Sequence, residues 1–463
     1  MKNSQVLSAF FIFCLLFSAI RSNCQTRIIT TVAGDGYGAG TGRGGFSGDG
    51  GAATNAKLAQ PRGVAVDLAG NIYIGDAENY VIRKVSPSGI ISTIAGIPGS
   101  SGYSGDGGPA LSAKLSGLFG ICIDNSGNLF FADLQRIRKI STSGTITTVA
   151  GNGTAGYSGD GGNATAATIY NPYGLAVDAV GNLYIAEQLN NLVRKVSPSG
   201  IISTFAGMGT PSYSGDGGNA TAAMLRQPES VAVDNSGNVF IADAGNNVIR
   251  KVSTSGIIST VAGTGLLSDG GDGGPATAAN IQSPVGVAVD ATGNIYIAEY
   301  LSSVRMVNTS GIISTIAGNG TAGYSGDGGP AVEAEFYYTW SLCLDGGGNI
   351  FVGDADNNVI RKISPAYLSV DQTELHNSSI SIVPNPNTGA FTINAIINAK
   401  SGNEVSITIT DITGRVIYSS VASTINSGIS KEINLGGNLP GGLYILKLDS
   451  GNEHAVSRLL IAR

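Results

Sequence analysis

Ser47-Gly48-Asp49-Gly50-Gly51 decides the fold, because the chain keeps returning to it. Its Gly-Asp-Gly-Gly core recurs around Asp106, Asp160, Asp216, Asp272 and Asp327, at intervals of 57, 54, 56, 56 and 55 residues. A period of that length is one supersecondary unit that cannot bury its own apolar face, so the copies must pack on one another. Between the first two copies lie four apolar runs, Val64 to Asp67, Asn71 to Gly75, Val81 to Val85 and Ile90 to Ala95. They are separated by Leu68-Ala69-Gly70, by Asp76 to Tyr80 and by Ser86-Pro87-Ser88-Gly89. Short β-branched runs joined by Gly, Asn and Pro turns are antiparallel hairpin strands. Four of them per repeat read as one blade of a β-propeller.

Three-strand modules begin near Gly63, Gly120, Gly174, Ser230, Gly286 and Ser341, and a strand of the Ile-Ile-Ser-Thr-Ile-Ala-Gly type begins at Ile28, Ile90, Thr145, Ile201, Ile257 and Ile312. The first such strand precedes every module and none follows Ile363. The expected fold is therefore all-β: a six-bladed β-propeller of four-stranded blades, its ring closed by the N-terminal strand Ile28 to Ala33, followed by a small C-terminal β-sandwich.

Composition agrees with short strands and Gly-rich turns. Gly accounts for 69 of 463 residues, about twice the usual share of roughly 7%. The net charge is −6, and residues 27–366 hold 18 Lys/Arg against 25 Asp/Glu. That balance disfavours a nucleic-acid partner, which would call for excess positive charge. Lys2, the apolar run Val6 to Ile20 and the small residues of Ser22-Asn23-Cys24 before Gln25 read as a signal peptide over 1–25. No later stretch is apolar enough for a transmembrane segment. Cys122 and Cys343 stand at one repeat position where other copies have Ala65, Ala176, Ala232 and Ala288, so they read as small hydrophobes without a disulfide.

The run Pro61-Arg62-Gly63-Val64-Ala65-Val66-Asp67, then Gly70-Asn71-Ile72-Tyr73-Ile74-Gly75-Asp76, then Ile82-Arg83-Lys84-Val85, resembles the consensus of NHL-repeat propellers. The likeness spans the propeller, residues 26–366 as a domain, and returns with Asp178, Asp234 and Asp290 and with Arg194, Arg250 and Arg305.

What repeats reads first as framework. Asp49 and its equivalents sit among glycines, where an Asp caps its own turn more readily than it builds a calcium loop. Asp76, Asp133, Glu187, Asp243, Glu299 and Asp354 match Arg83, Arg138, Arg194, Arg250, Arg305 and Arg361 one for one, which predicts ion pairs tying blades together.

What varies is the candidate site. The long loops enter the innermost strands on one face, and the residue just before each of those strands is Arg62, Phe119, Tyr173, Glu229, Val285 and Trp340 in blade order. Six different side chains at a channel mouth read either as a ligand site with aromatic walls and two polar anchors or as a solvated mouth that tolerates any residue. Blade six adds Tyr338 within Phe336-Tyr337-Tyr338-Thr339-Trp340, which contains the only Trp. In blade five Asp269 replaces the aromatic of other copies, and with Asp272 it is a weak candidate for a cation such as calcium.

No catalytic residue is assigned. His376 and His454, the only histidines, lie outside the propeller, and no Ser nucleophile motif is present. Some six-bladed relatives are lyases or lactonases using a His or a calcium ion, and Glu229 is the remaining route to such chemistry.

Residues 367–379 read as a linker, and strands without the blade motif resume over 380–463. Pro384-Asn385-Pro386-Asn387-Thr388-Gly389, Asp411-Ile412-Thr413-Gly414-Arg415, Leu439-Pro440-Gly441-Gly442-Leu443-Tyr444 and the closing Arg458 to Arg463 resemble the type A sorting domain of the type IX secretion system. The resemblance implies the type IX machinery as a partner, removal of this domain, and a product that is secreted or held on the outer cell surface. The expected function is a binding or scaffold protein whose long-loop face takes an extracellular glycan or protein ligand. The alternative is an extracellular propeller enzyme, a lyase or lactonase-like hydrolase that uses calcium.

Overall fold

The computed structural model describes residues 27–300, 303–365, 379–383, 385, 389–396, 404–411, 415–424, 428–435, 442–450 and 453–461. The expected signal peptide over 1–25 and all but the last residue of the expected linker over 367–379 lie outside the described residues, as does His376. The chain divides into two compact units between residues 366 and 367.

The first unit is a closed ring of six four-stranded antiparallel sheets. Strand β1 (Ile28–Ala33) is the outermost strand of blade six, pairing antiparallel with Val359–Ser364, so that Ile28 faces Ser364 and Thr31 faces Arg361. The start of the propeller thus completes its last blade and leaves that blade no open edge. Blade one runs from the channel outward as β2 (Pro61–Val66), β3 (Ile72–Asp76), β4 (Val81–Val85) and β5 (Ile91–Ala95). The same order gives the other inner strands Leu118–Ile123, Pro172–Val177, Pro228–Val233, Pro284–Val289 and Thr339–Leu344.

The inner strand starts at Pro61, earlier than the apolar run at Val64, because its register with β3 shifts between Pro61 and Gly63. That irregularity keeps a polar residue, Arg62, paired into the sheet at its rim. At Gly63 a Cβ would overlap the Phe119 carbonyl oxygen, so absence of a side chain lets neighbouring inner strands converge on the axis. Apolar faces of adjacent blades then close on each other: Phe240, Ile249, Val287, Ile297 and Ile313, from blades four and five, share one buried cluster.

Each blade also buries an arginine completely. Arg83, Arg138, Arg194, Arg250, Arg305 and Arg361 are 0% exposed. Arg138 Nη1 meets the buried Asp133 at 3.2 Å and its Nη2 meets Asp106 of the entering loop at 2.6 Å. All six Arg–acid pairs of the sequence pattern form, at 3.2 to 3.6 Å. Contrary to the expectation from the sequence pattern, they do not tie blades together; they lock strands two and three of one blade to that blade's own entering loop. Phe46, Tyr103, Tyr157, Tyr213 and Tyr324 cover the guanidinium at 4.7 to 5.2 Å from their ring centres.

The Gly-Asp-Gly-Gly aspartate likewise does something other than cap its own turn. Asp106 Oδ2 accepts from the Thr148 amide (3.0 Å) on the outermost strand and from the Tyr103 hydroxyl (2.9 Å), while Gly107 N donates to Ile146 O and Ile146 N donates to Gly108 O. The loop therefore satisfies an outer edge that would otherwise expose unpaired amides. Turn capping falls to a different repeated residue: Asp67 Oδ1 accepts from the amides of Ala69 (3.0 Å) and Asn71 (2.8 Å).

The second unit is a sandwich of a three-stranded sheet (Ser379–Val383, Ala390–Ile396, Gly428–Asn434) and a four-stranded one (Val416–Ser423, Glu404–Asp411, Gly442–Ser450, Glu453–Ile461). Alternation builds it: Val405, Ile407 and Ile409 are buried in one core with Phe391, Ile393, Leu446 and Leu459. Asp411 and Arg415, from one of the sorting-type motifs, close a turn through Asp411 N to Arg415 O (3.0 Å) and Arg415 Nε to Asp411 Oδ2 (3.0 Å).

Candidate functional site

The chain enters each inner strand through a residue in the left-handed region: Gln60, Asn171, Gln227, Ser283 and Tyr338 have φ between 44° and 60°, with Gly117 in blade two at 57°. Each non-Gly residue held there costs on the order of 1 kcal/mol, so the rim is over-determined by its neighbours. The ties are visible. Gln60 N donates to Asn358 Oδ1 (2.9 Å), Gln227 N to Asn191 Oδ1 (3.0 Å) and Ser283 N to Asn247 Oδ1 (3.1 Å), each across a blade boundary. Neutral asparagines, not ion pairs, make these polar inter-blade links.

The kink aims the next-but-one residue at the channel. Arg62, Phe119, Tyr173, Glu229, Val285 and Trp340 all line one cavity of about 70 Å³. That volume admits about two waters and no sugar ring, because the aromatic side chains meet across the mouth. Phe119 stacks on Tyr173 at 4.3 Å between ring centres, and Tyr173 lies 6.0 Å from Trp340 of the opposite blade. The belt continues from Trp340 edge-on to Tyr300 (6.0 Å), from Tyr300 to Tyr338 (stacked, 4.4 Å) and from Tyr338 to Tyr337 (4.8 Å). Phe336, in the same sequence cluster, is fully buried and packs in the core of blades five and six.

Charge sits at the borders of the belt. The Arg62 guanidinium lies over Trp340 (5.0 Å) and Phe119 (5.3 Å), is paired with Glu78 (3.2 Å) and donates to Gln60 Oε1. Glu229 accepts one hydrogen bond, from Gln188 Nε2 at 2.8 Å; burial outweighs it and pushes the carboxyl up to about 7. Burial, helped by the Glu229 charge, pushes the Tyr173 phenol up to about 12.

Gln188 and Tyr300 belong to this surface and escaped the sequence reading. They stand at one repeat position, just after the conserved-type acid of strand two, where Ala77, Ala244 and Ala355 occupy blades one, four and six. Comparing copies at that position, as at the rim, would have found them. In blade five Asp269 Oδ1 (2.8 Å) and Asp272 Oδ1 (2.5 Å), the weak candidates for a cation, both converge on the Arg305 guanidinium. Among the described residues no group of three or more His, Cys, Asp or Glu converges in a way that could hold a metal ion. Cys122 and Cys343 are free.

A ring of six four-stranded blades with a variable rim defines the class, an NHL-type propeller. Five successive stretches, 23–97, 95–156, 152–213, 209–269 and 265–325, match the Teneurin NHL domain model, and the chain belongs to that family. Residues 381–462 match the Secretion system C-terminal sorting domain. Mouse teneurin-4 is 29% identical over 370 residues, covering 70% of this chain but 13% of teneurin-4, and mouse teneurin-1 is 32% identical over 237 residues, covering 45% of this chain and 8% of teneurin-1. This chain thus spans only a small part of the length of those relatives. Among solved structures, a structural-genomics protein of unknown function from Bacteroides thetaiotaomicron (TM-score 0.53, 17% identity, 73% of this chain and 76% of that one) shares the fold. So does an auxiliary nutrient binding protein from the same organism (TM-score 0.52, 16% identity, 73% and 76%). With its sorting domain, the protein is a type IX secretion product, secreted or held on the cell surface. Among the described residues no helix is long and apolar enough to cross a membrane.

Proposed function

We propose that the propeller is an extracellular binding module that takes a glycan on the long-loop face, across the aromatic belt at the channel mouth. One observation carries this reading: six contiguous aromatic rings from Phe119 to Tyr337, flanked by Arg62 and Glu229, stand where the rest of each blade is repetitive. Half-buried rings beside a few polar groups suit the apolar faces and hydroxyls of sugars. The small cavity means that the ligand lies over the mouth, not inside it. The nutrient-binding relative in fold is compatible with a binding role. A glycan array supports the reading if wild type gives signals that Trp340→Ala loses while its melting temperature stays within a few degrees; equal signals from both proteins remove the belt from the site.

A second reading, an extracellular lyase or lactonase-like enzyme, draws on Glu229, whose proton affinity near neutrality suits a general acid or base. Turnover of a polymer or lactone that disappears in Glu229→Gln and with a chelator would establish it over pure binding.

A further inference from the structure

Between blades three and four the rim opens into a groove of about 360 Å³ lined by Gln188, Leu189, Asn191, Pro211, Arg226 and Gln227. It adjoins the mouth, since Gln188 lines it and also bonds Glu229. Two features set this boundary apart from its equivalents. At the corresponding boundaries Asn247 Nδ2 donates to Gly265 O (3.4 Å) and Asn358 Nδ2 to Tyr37 O (3.0 Å). Asn191 keeps the Oδ1 bond to Gln227 N, but its Nδ2 has no partner among the described residues.

Arg226 is the second feature. Other copies place Ala59, Ser116, Tyr170, Gln282 and Tyr337 there. Its backbone is fixed by Arg226 N to Asp243 Oδ1 (2.7 Å) and by Gly245 N to Arg226 O (2.9 Å). Its stem runs over Gly245, where other blades have Glu78, Leu189 and Asp356; a Cβ on Gly245 would press on Arg226 Cγ, its carbonyl oxygen and Cδ at 2.6, 2.8 and 3.0 Å. The guanidinium has no acidic partner among the described residues. The groove therefore offers an unpaired cation, the free Nδ2 of Asn191 and the side-chain amide of Gln227, which has no bond among the described residues, and no carboxylate lines it.

We propose that this groove binds the carboxylate of an acidic sugar, a uronic-acid unit of a glycan whose neighbouring rings lie on the aromatic mouth; the inference rests on the binding role proposed above. A guanidinium takes a carboxylate bidentately. The amides suit vicinal hydroxyls, and Leu189 and Pro211 give the ring an apolar edge. The protein's net charge of −6 opposes non-specific anion binding, so selectivity comes from Arg226.

Calorimetry on the full chain tests this with an oligogalacturonide, a neutral oligogalactoside of equal length and an acidic peptide. The oligogalacturonide should bind more tightly than the neutral sugar. Arg226→Gln should weaken it about tenfold, with the neutral sugar unaffected and the salt dependence reduced. Gly245→Ala, which displaces Arg226 through both its stem and its carbonyl, should weaken it in the same direction. Wild-type affinity in Arg226→Gln, or binding of the acidic peptide alone, overturns the proposal. Equal affinity of wild type for acidic and neutral sugars overturns it while leaving the glycan reading standing, whereas no glycan binding by wild type overturns both.

Discussion

The outer belt of the propeller and the mouth of its channel are built from the same repeat yet treat sequence in opposite ways. In the belt every blade uses one fully buried Arg, one buried acid and a loop Asp, joined in blade five by a second. At the mouth no two blades agree, and Arg62, Phe119, Tyr173, Glu229, Val285 and Trp340 occupy one structural position. The belt has a fixed problem to solve in each copy, an outer strand edge and a buried guanidinium, and only a few residue types solve it. The mouth carries no such obligation, because the inter-blade asparagines and inner-strand packing hold its backbone whatever side chain it presents. Constancy here reports stability, and variation is where recognition has room.

The largest effect should come from the ring closure. Removing residues 27–34 deletes β1, which pairs with Val359–Ser364 and buries Ile29 and Ala33. An open blade six exposes its new edge, so urea denaturation should lose its single cooperative transition and the protein should associate; an unchanged melting curve would refute the closure's importance. Next is the clamp. Arg250→Ala strands the buried Asp243 and should cost about 3 to 5 kcal/mol in the same assay, against about 1 kcal/mol for the half-buried Trp340→Ala. Equal costs would erase the division between belt and mouth.

Blade five sharpens the comparison, because there the belt itself varies. Arg305 has Asp269 as well as Asp272, whereas Arg250 has Asp216 alone in the loop. Asp272→Asn should therefore destabilise less than Asp216→Asn, by about 1 kcal/mol given that these loop carboxylates are two-fifths or more exposed. If the two match, the second carboxylate in blade five does not support Arg305.

The repeat made the blades, their number and the closing strand legible, because period-two runs and Gly turns fix strands locally and because six inner strands need six outer ones. The rim residues were legible for the same reason: with five copies as a ruler, Trp340 stands out. What the ruler could not give was distance. Asp49 among glycines looks like a turn cap, and only the folded loop carries its carboxylate to Arg83 at 2.7 Å. Nor could sequence show that Tyr173 and Trp340, from opposite blades, come within 6.0 Å of each other across the mouth. The left-handed Gln60 and Tyr338 gave no sign either, since neither residue type announces a positive φ.

The smallest predicted effect isolates the charge at the mouth. Glu229 has a folded-state carboxyl near 7 against an unfolded value of 4.5, chiefly through burial. A raised carboxyl stabilises fully below the unfolded value, and that contribution is lost as pH rises from 4.5 to about 7. Glu229→Gln keeps the hydrogen-bonding shape without the charge. It should match wild type at pH 4 and exceed it by about 1 kcal/mol at pH 8, a figure reduced for the rim's contact with solvent. Urea titrations at the two pH values read the gap directly. The belt offers the control: there the fully buried Glu187 faces the fully buried guanidinium of Arg194 at 3.5 Å. Glu187→Gln removes the partner of a buried cation and should destabilise at pH 8, so the same substitution reverses sign between mouth and belt.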